Sequence, residues 1–70
     1  MPQRKFHEDD FILVTDHHLG IYFLCNGRII ENDGEALDGT FMYAVCINTG
    51  GKWERVNKIP EFAMKRLVLE

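Results

Sequence analysis

The dipeptide Asn26-Gly27 restricts the fold of this chain more than any other local feature. It lies between two apolar runs, residues 21–25 and residues 28–31. Asn-Gly is the strongest short-range signal for a two-residue β-hairpin, because a type I′ turn requires positive φ at both central residues. The sequence therefore predicts that these two runs are antiparallel strands joined by Asn26 and Gly27.

Three further runs have the composition of strands. Residues 11–15 are β-branched and aromatic, which favours a strand. Residues 40–48 are apolar on both faces, as in a strand that is covered on each side. Residues 52–56 alternate like a half-exposed strand, and the glycines at 50 and 51 supply the preceding turn. The sequence therefore predicts a mainly β (small α+β) fold built on a five-strand antiparallel meander.

The C-terminal residues 60–70 favour a short helix. Pro60 suits a first helical turn, and Glu61 suits the positive end of the helix dipole. Ala63 and Leu67 lie four residues apart, on one side of such a helix. A terminal strand over residues 66–70 is the alternative.

The meander has two ways to complete its fold. It closes into a small SH3-like barrel, or it stays an open sheet with the helix across one face. An open sheet has edge strands that require a cover. A homodimer, in which a second copy covers an edge, is one arrangement that the sequence allows.

A chain of 70 residues supports one small core, and 46% of its residues are hydrophobic. Residues 1–9 are polar and predict a flexible N-terminal arm with an anchor point at Phe6. Residues 10–70 predict a single small β-rich domain.

The polar N-terminus contains no signal-peptide pattern, and the apolar runs are too short to cross a bilayer, so we expect no membrane partner. Two cysteines are too few for a disulfide framework. The sequence therefore predicts a cytoplasmic protein in which Cys25 and Cys46 are reduced.

Asp16, His17 and His18 are the residues that most resemble a chemical site. Adjacent strand residues point to opposite faces, so a regular strand would separate the two histidines. Asp16, His18 and Cys25 are zinc-compatible ligand types, but their spacing matches no common paired-ligand pattern. Polar turn residues are the favoured interpretation, and we expect no metal and no cofactor.

Several observations argue against an enzyme. The chain has no serine, which excludes a Ser-His-Asp triad. Both cysteines lie inside apolar runs, where a thiol is not activated. A chain this short also has little room for a water-excluding pocket.

The remaining hypothesis is a non-catalytic protein-binding module. It would be a small cytoplasmic inhibitor or adaptor that docks on a larger protein, and a phage or mobile-element origin would fit. The acidic segment 31–39 would contact a basic surface, and exposed Trp, Tyr and Arg side chains are typical of binding hot spots. The predicted protein-binding residues are Glu31, Asp33, Glu35, Asp38, Tyr22, Trp53 and Arg55.

The alternative is a small β-barrel nucleic-acid-binding module with a basic face around Trp53. Aromatic stacking flanked by cations is how such domains hold single strands. Its predicted residues are Trp53, Arg55, Lys58, Lys65 and Arg66. The net charge of −3 makes nucleic acid the less favoured partner, because phosphate neutralisation dominates such binding.

Overall fold

The structure, a computed structural model, describes residues 3–67, and these contain a five-strand antiparallel sheet. The strands are β1 (Phe11–Val14), β2 (Asn26–Glu35), β3 (Phe41–Thr49), β4 (Lys52–Pro60) and β5 (Met64–Arg66). A first 3₁₀-helix (His17–Tyr22) connects β1 to β2, and a second (Glu61–Ala63) connects β4 to β5. The predicted mainly β, antiparallel class is confirmed. Within residues 3–67, no helix has the length and apolar character needed to span a membrane.

The strand order is β4-β3-β2-β1-β5, so the sheet is open and β4 and β5 are its edges. Of the two predicted arrangements, the structure has the open sheet and not the SH3-like barrel. Five antiparallel strands are present as predicted, but only β1 to β4 follow the order of a meander, and the chain then returns to pair β5 with β1. The turn between β3 and β4 is the predicted one, and its glycines 50 and 51 have positive φ.

The predicted strand over residues 21–25 is wrong. This segment belongs to the first 3₁₀-helix and the turn after it, and Gly20 kinks the helix with φ of 62°. Two backbone hydrogen bonds close the connection: Leu24 donates to the Val14 carbonyl at 2.8 Å, and Val14 donates to that of Cys25 at 3.0 Å. The apolar run of residues 21–25 resembles a strand in the sequence, but these residues belong to a connection that is held by hydrogen bonds to β1.

Asn26-Gly27 is also not a hairpin turn. It begins β2, where Gly27 pairs with Ile12 of β1 and Ile47 of β3. A Cβ atom on Gly27 would lie 2.9 Å from Val45 Cγ1 and 3.1 Å from Ile12 Cδ1. Close packing against the neighbouring strands explains this glycine.

The predicted C-terminal helix is wrong as well. A single 3₁₀ turn covers Glu61–Ala63, and Met64–Arg66 form β5. The backbone of β1 is available to pair with residues 64–66, and Val14 lies opposite Met64 in this register. These non-local hydrogen bonds outweigh a local helix preference that a short segment expresses only weakly. Residues 68–70, the end of the predicted helix, lie outside the described residues.

The core lies on one face of the sheet. Phe6 from the N-terminal segment joins it with 3% exposure, and its ring meets the Tyr43 ring edge-on at 5.5 Å. The N-terminal segment is therefore anchored at Phe6. The buried core residues are Phe6, Ile12, Val14, Ile29, Tyr43, Val45, Ile47, Ile59, Ala63 and Met64.

Candidate functional site

The face of the sheet opposite this core, called the outer face below, carries a row of cross-strand neighbours. Phe11 pairs with Arg28, Arg28 with Cys46, and Cys46 with Arg55. Because successive strand residues point to opposite faces, this row lies opposite the buried Ile12. Four consecutive strands, β1 to β4, therefore contribute to one surface.

An open groove of about 430 Å³ crosses the outer face. Phe11 and Trp53 contribute to its lining from β1 and β4, and Ile30 and Cys46 contribute from the strands between. Trp53 is 53% exposed and Phe11 is 49% exposed. Two large aromatic side chains thus remain accessible to solvent on either side of a half-buried apolar floor.

Two arginines hold defined positions on this face. Arg28 donates to Asp9 Oδ1 through Nη2 at 2.6 Å and Nε at 3.1 Å. Arg55 donates to Glu31 Oε1 at 2.9 Å and to Asn57 Oδ1 at 2.9 Å. Each guanidinium is therefore oriented by a carboxylate while remaining about half exposed.

The predicted acidic segment is not a free loop. Its first half continues β2. There the Glu31 side chain forms an ion pair with Arg55, and the Asp33 side chain forms one with Lys58; both basic residues belong to β4. Asp33 Oδ2 accepts a 2.8 Å hydrogen bond from the Lys58 backbone N–H, and this bond holds the pKa of Asp33 below its ordinary value. Predicted acidic and basic residues thus bind each other across the sheet.

The other two acidic residues lie near the β2–β3 hairpin. Glu35 is the last residue of β2, and Asp38 accepts a 2.9 Å hydrogen bond from the Thr40 backbone N–H. Hydrogen bonds from Thr40 also hold the pKa of Asp38 below its ordinary value. Leu37 between them is fully exposed.

Tyr22 lies on the opposite side of the sheet from Trp53. Its hydroxyl donates to Glu54 Oε2 at 3.0 Å, and that bond raises the pKa of Tyr22. Glu54 follows Trp53 on β4 and therefore points to the other face. The structure does not bring Tyr22 together with Trp53 and Arg55.

The predicted nucleic-acid residues are also divided. Trp53, Arg55 and Lys58 belong to β4, whereas Lys65 and Arg66 belong to β5 at the other edge of the strand order. Arg66 donates to Asp10 Oδ2 at 3.1 Å and to the Lys5 carbonyl at 2.6 Å.

Asp16, His17 and His18 do converge. The 3₁₀ turn brings one ligand atom from each within 4.8 Å of the others. The ring centroids of the two histidines are 4.2 Å apart. The backbone N–H of His18 donates to Asp16, which keeps the pKa of that carboxyl below its ordinary value. Cys25 does not belong to this group, and its half-buried thiol donates to the Ile21 carbonyl at 3.4 Å.

Sequence reasoning missed Phe11, Ile30 and Cys46 as members of an exposed surface. The signal was present for Phe11, because strand alternation with Ile12 and Val14 places it on the other face. Ile30 gave no such signal, since a register shift between Ile29 and Glu31 interrupts the alternation.

The fold and the outer face define a small antiparallel β-sheet domain that exposes aromatic side chains on this face. Comparisons with protein-family models, with curated proteins and with solved structures found no match to this chain. A functional proposal therefore depends on the geometry of the chain itself.

Proposed function

We propose that this chain is a non-catalytic protein-binding module that docks its outer face on a larger cytoplasmic protein, as an inhibitor or adaptor. The observation that carries the proposal is the exposure of Trp53 and Phe11 beside one groove. Apolar surface of this kind, with polar groups around it, is typical of interaction sites. Trp and Arg are also enriched among the residues that dominate binding energy.

The rim of the groove supports the same proposal. Arg28 and Arg55 are held by carboxylates before a partner arrives, so less side-chain entropy is lost on binding. A partner that inserts an apolar side chain between Phe11 and Trp53 would meet guanidinium groups beside it. Its polar atoms would accept hydrogen bonds from these groups, which favours specificity.

The charge distribution favours protein over nucleic acid as the partner. The basic residues of the nucleic-acid alternative do not form one surface, because Arg55 and Lys58 belong to β4 whereas Lys65 and Arg66 belong to β5 at the other edge of the sheet. The net charge of −3 adds long-range repulsion from a polyanion. The predicted contact of Glu35 and Asp38 with a basic surface stays a hypothesis about a separate contact at the β2–β3 hairpin, because Glu35 pairs with Phe41 at one end of β3 and Trp53 pairs with Asn48 near the other.

The test is site-specific photo-crosslinking in lysate of the organism that encodes the chain. A photo-reactive phenylalanine analogue replaces Phe11, which lines the groove and keeps its ring in this variant, and replaces Phe62 in a matched control. Phe62 is 71% exposed but belongs to the second 3₁₀-helix and does not line the groove. We expect one defined protein to be crosslinked from position 11, with or without nuclease, and not from position 62.

Competition with unmodified protein provides the specificity control. Unmodified wild type should suppress the crosslink, whereas Trp53→Ala should do so poorly, because truncating a hot spot costs at least about 2 kcal/mol. Crosslinks that disappear with nuclease would instead support the nucleic-acid alternative. A crosslink to a second copy of the chain would indicate a homodimer, and equal labelling from both positions would contradict the proposal.

A further inference from the structure

The connection between β1 and β2 holds Asp16, His17 and His18 in a fixed turn. Asp16 Oδ1 accepts a 2.9 Å hydrogen bond from the His18 backbone N–H, and the Asp16 carbonyl accepts one from Leu19 at 3.1 Å. The hydrogen bonds between Val14 and residues 24 and 25 attach both ends of this connection to each other. Backbone hydrogen bonds therefore define the geometry of this turn.

The side chains of this turn have the spacing of metal ligands. His18 Nδ1 and Asp16 Oδ1 form a 3.0 Å hydrogen bond, and an ion bound by both atoms would replace the proton between them. Two neighbouring ligands that are each about 2.1 Å from one ion lie about 3.0–3.4 Å apart in octahedral or tetrahedral geometry. The His17 ligand atom is within 4.8 Å of both, so it would have to move closer to complete the set.

The surroundings leave room for an ion and for water. The His18 side chain is 80% exposed, and His17 is also exposed, whereas Asp16 is half-buried. The Phe23 ring meets the His17 ring edge-on, with the ring centroids 6.4 Å apart. The remaining coordination positions would be filled by water, which distinguishes this site from a closed structural zinc site.

We propose that Asp16, His17 and His18 form a three-ligand site for a divalent late transition-metal ion. Two imidazoles and one carboxylate suit Cu²⁺, Ni²⁺ and Zn²⁺, and Cu²⁺ binds most tightly in the usual order of affinities. Mg²⁺ and Ca²⁺ prefer oxygen ligands and should not compete. This proposal is independent of the outer face, because none of the three ligands lines the groove.

Isothermal titration calorimetry of the tag-free 70-residue chain tests the proposal. We expect one Ni²⁺ or Zn²⁺ ion per chain with micromolar affinity, tighter binding of Cu²⁺ and no binding of Mg²⁺. His17→Gln and His18→Gln should each weaken Ni²⁺ binding by about tenfold or more. Asp16→Asn keeps a side-chain oxygen to cap the turn, and it should weaken binding because the carboxylate charge is lost.

His7→Gln is the matched control, since His7 lies outside this cluster and outside the β1–β2 connection. Its Ni²⁺ affinity should equal that of the wild type, and urea unfolding should show that every variant is folded. Paramagnetic Cu²⁺ should broaden the amide signals of residues 16–19 first. Absence of saturable binding to wild type, unchanged binding by both His17→Gln and His18→Gln, or an equal loss in His7→Gln would each overturn the proposal.

Discussion

At the scale of single residues, Gly27 lies where β2 passes between Ile12 of β1 and Val45 of β3. The space beside its Cα is filled by these side chains and by the Cys46 carbonyl oxygen, which would be 3.2 Å from a Cβ atom. Since a backbone atom is part of this contact, side-chain movement alone does not make room. The position therefore requires glycine for its size.

Gly27→Ala should lower the free energy of unfolding by about 1–3 kcal/mol, the usual effect of overpacking a core. Urea denaturation measures this change. In a Val45→Ala background the same substitution should cost less, because the nearest contact has been removed, and a double-mutant cycle reports the coupling. A Gly27→Ala variant as stable as the wild type would contradict this account of the position.

Asp33 binds Lys58, whose backbone has φ of 60° at a non-glycine residue. The lowered pKa of Asp33 means that its carboxylate is stabilised in the folded chain. The resulting contribution to the free energy of unfolding is present above the unfolded pKa of about 3.9. It is lost as the pH falls through the lower pKa of the folded chain.

Asp33→Asn should therefore be less stable than the wild type near pH 7, and the difference should shrink toward about pH 2.5. Urea denaturation at both pH values measures it. Glu35→Gln is the control, because Glu35 lies on the same strand and has no ion pair in the described part of the chain. An equal loss of stability by Asp33→Asn at both pH values would contradict the assignment.

At the scale of secondary-structure elements, β5 completes the sheet on the side of β1. Lys65 lies opposite Leu13, and the flanking Leu67 N–H donates to the Phe11 carbonyl at 2.9 Å. The strand is short, but it brings Met64 into the core. Residues 64–66 are thus held in place both by backbone pairing with β1 and by the burial of Met64.

Lys65→Pro removes a backbone donor from the middle of β5 and should lower the free energy of unfolding by at least about 1 kcal/mol. Leu37→Pro is the matched control. Leu37 is the second residue of the turn that closes with the 2.9 Å hydrogen bond from Gly39 to Ala36, a position that favours proline. Thermal unfolding should show a lower melting temperature for Lys65→Pro and an unchanged one for Leu37→Pro. Equal melting temperatures for the two variants would argue against the pairing of β5 with β1.

At the scale of the whole molecule, Tyr43 links segments that are distant in the sequence. The Phe6 backbone N–H donates to the Tyr43 hydroxyl at 3.4 Å, and this hydroxyl donates to Glu61 Oε2 at 2.5 Å. The same Glu61 oxygen accepts from the Lys5 backbone N–H at 2.9 Å. Burial, followed by the bond to Glu61, raises the pKa of Tyr43. One hydroxyl thus joins the N-terminal segment to the second 3₁₀-helix through the central sheet.

Tyr43→Phe should lower the free energy of unfolding by about 1–3 kcal/mol, because the Phe6 N–H and the Glu61 carboxylate lose a partner. Amide hydrogen exchange should accelerate at Lys5 and Phe6 more than in β3. Val56→Ala, which also removes apolar contact near the core but leaves this network intact, is the comparison. Uniform acceleration across the sheet in Tyr43→Phe would show that the hydroxyl has no linking role.

Local sequence was sufficient for the antiparallel strand class, the Gly50-Gly51 turn and the strand that contains Trp53 and Arg55. These features depend on side-chain alternation and turn chemistry, which act over a few residues. The predicted five-strand meander was correct for β1 to β4 only. Residues 21–25 and 60–66 were predicted wrongly, because their conformations depend on hydrogen bonds to β1 and on burial against distant strands.

The same distinction applies to the candidate sites. The groove depends on the register that places Phe11 of β1 on the same face as Trp53 of β4, and the pairing of Asp33 with Lys58 depends on two strands meeting. The convergence of His17 with His18 required a 3₁₀ turn where a strand boundary had been expected. Such contacts join residues far apart in the chain or follow from a backbone geometry that neighbouring strands impose, so only the tertiary structure determines them.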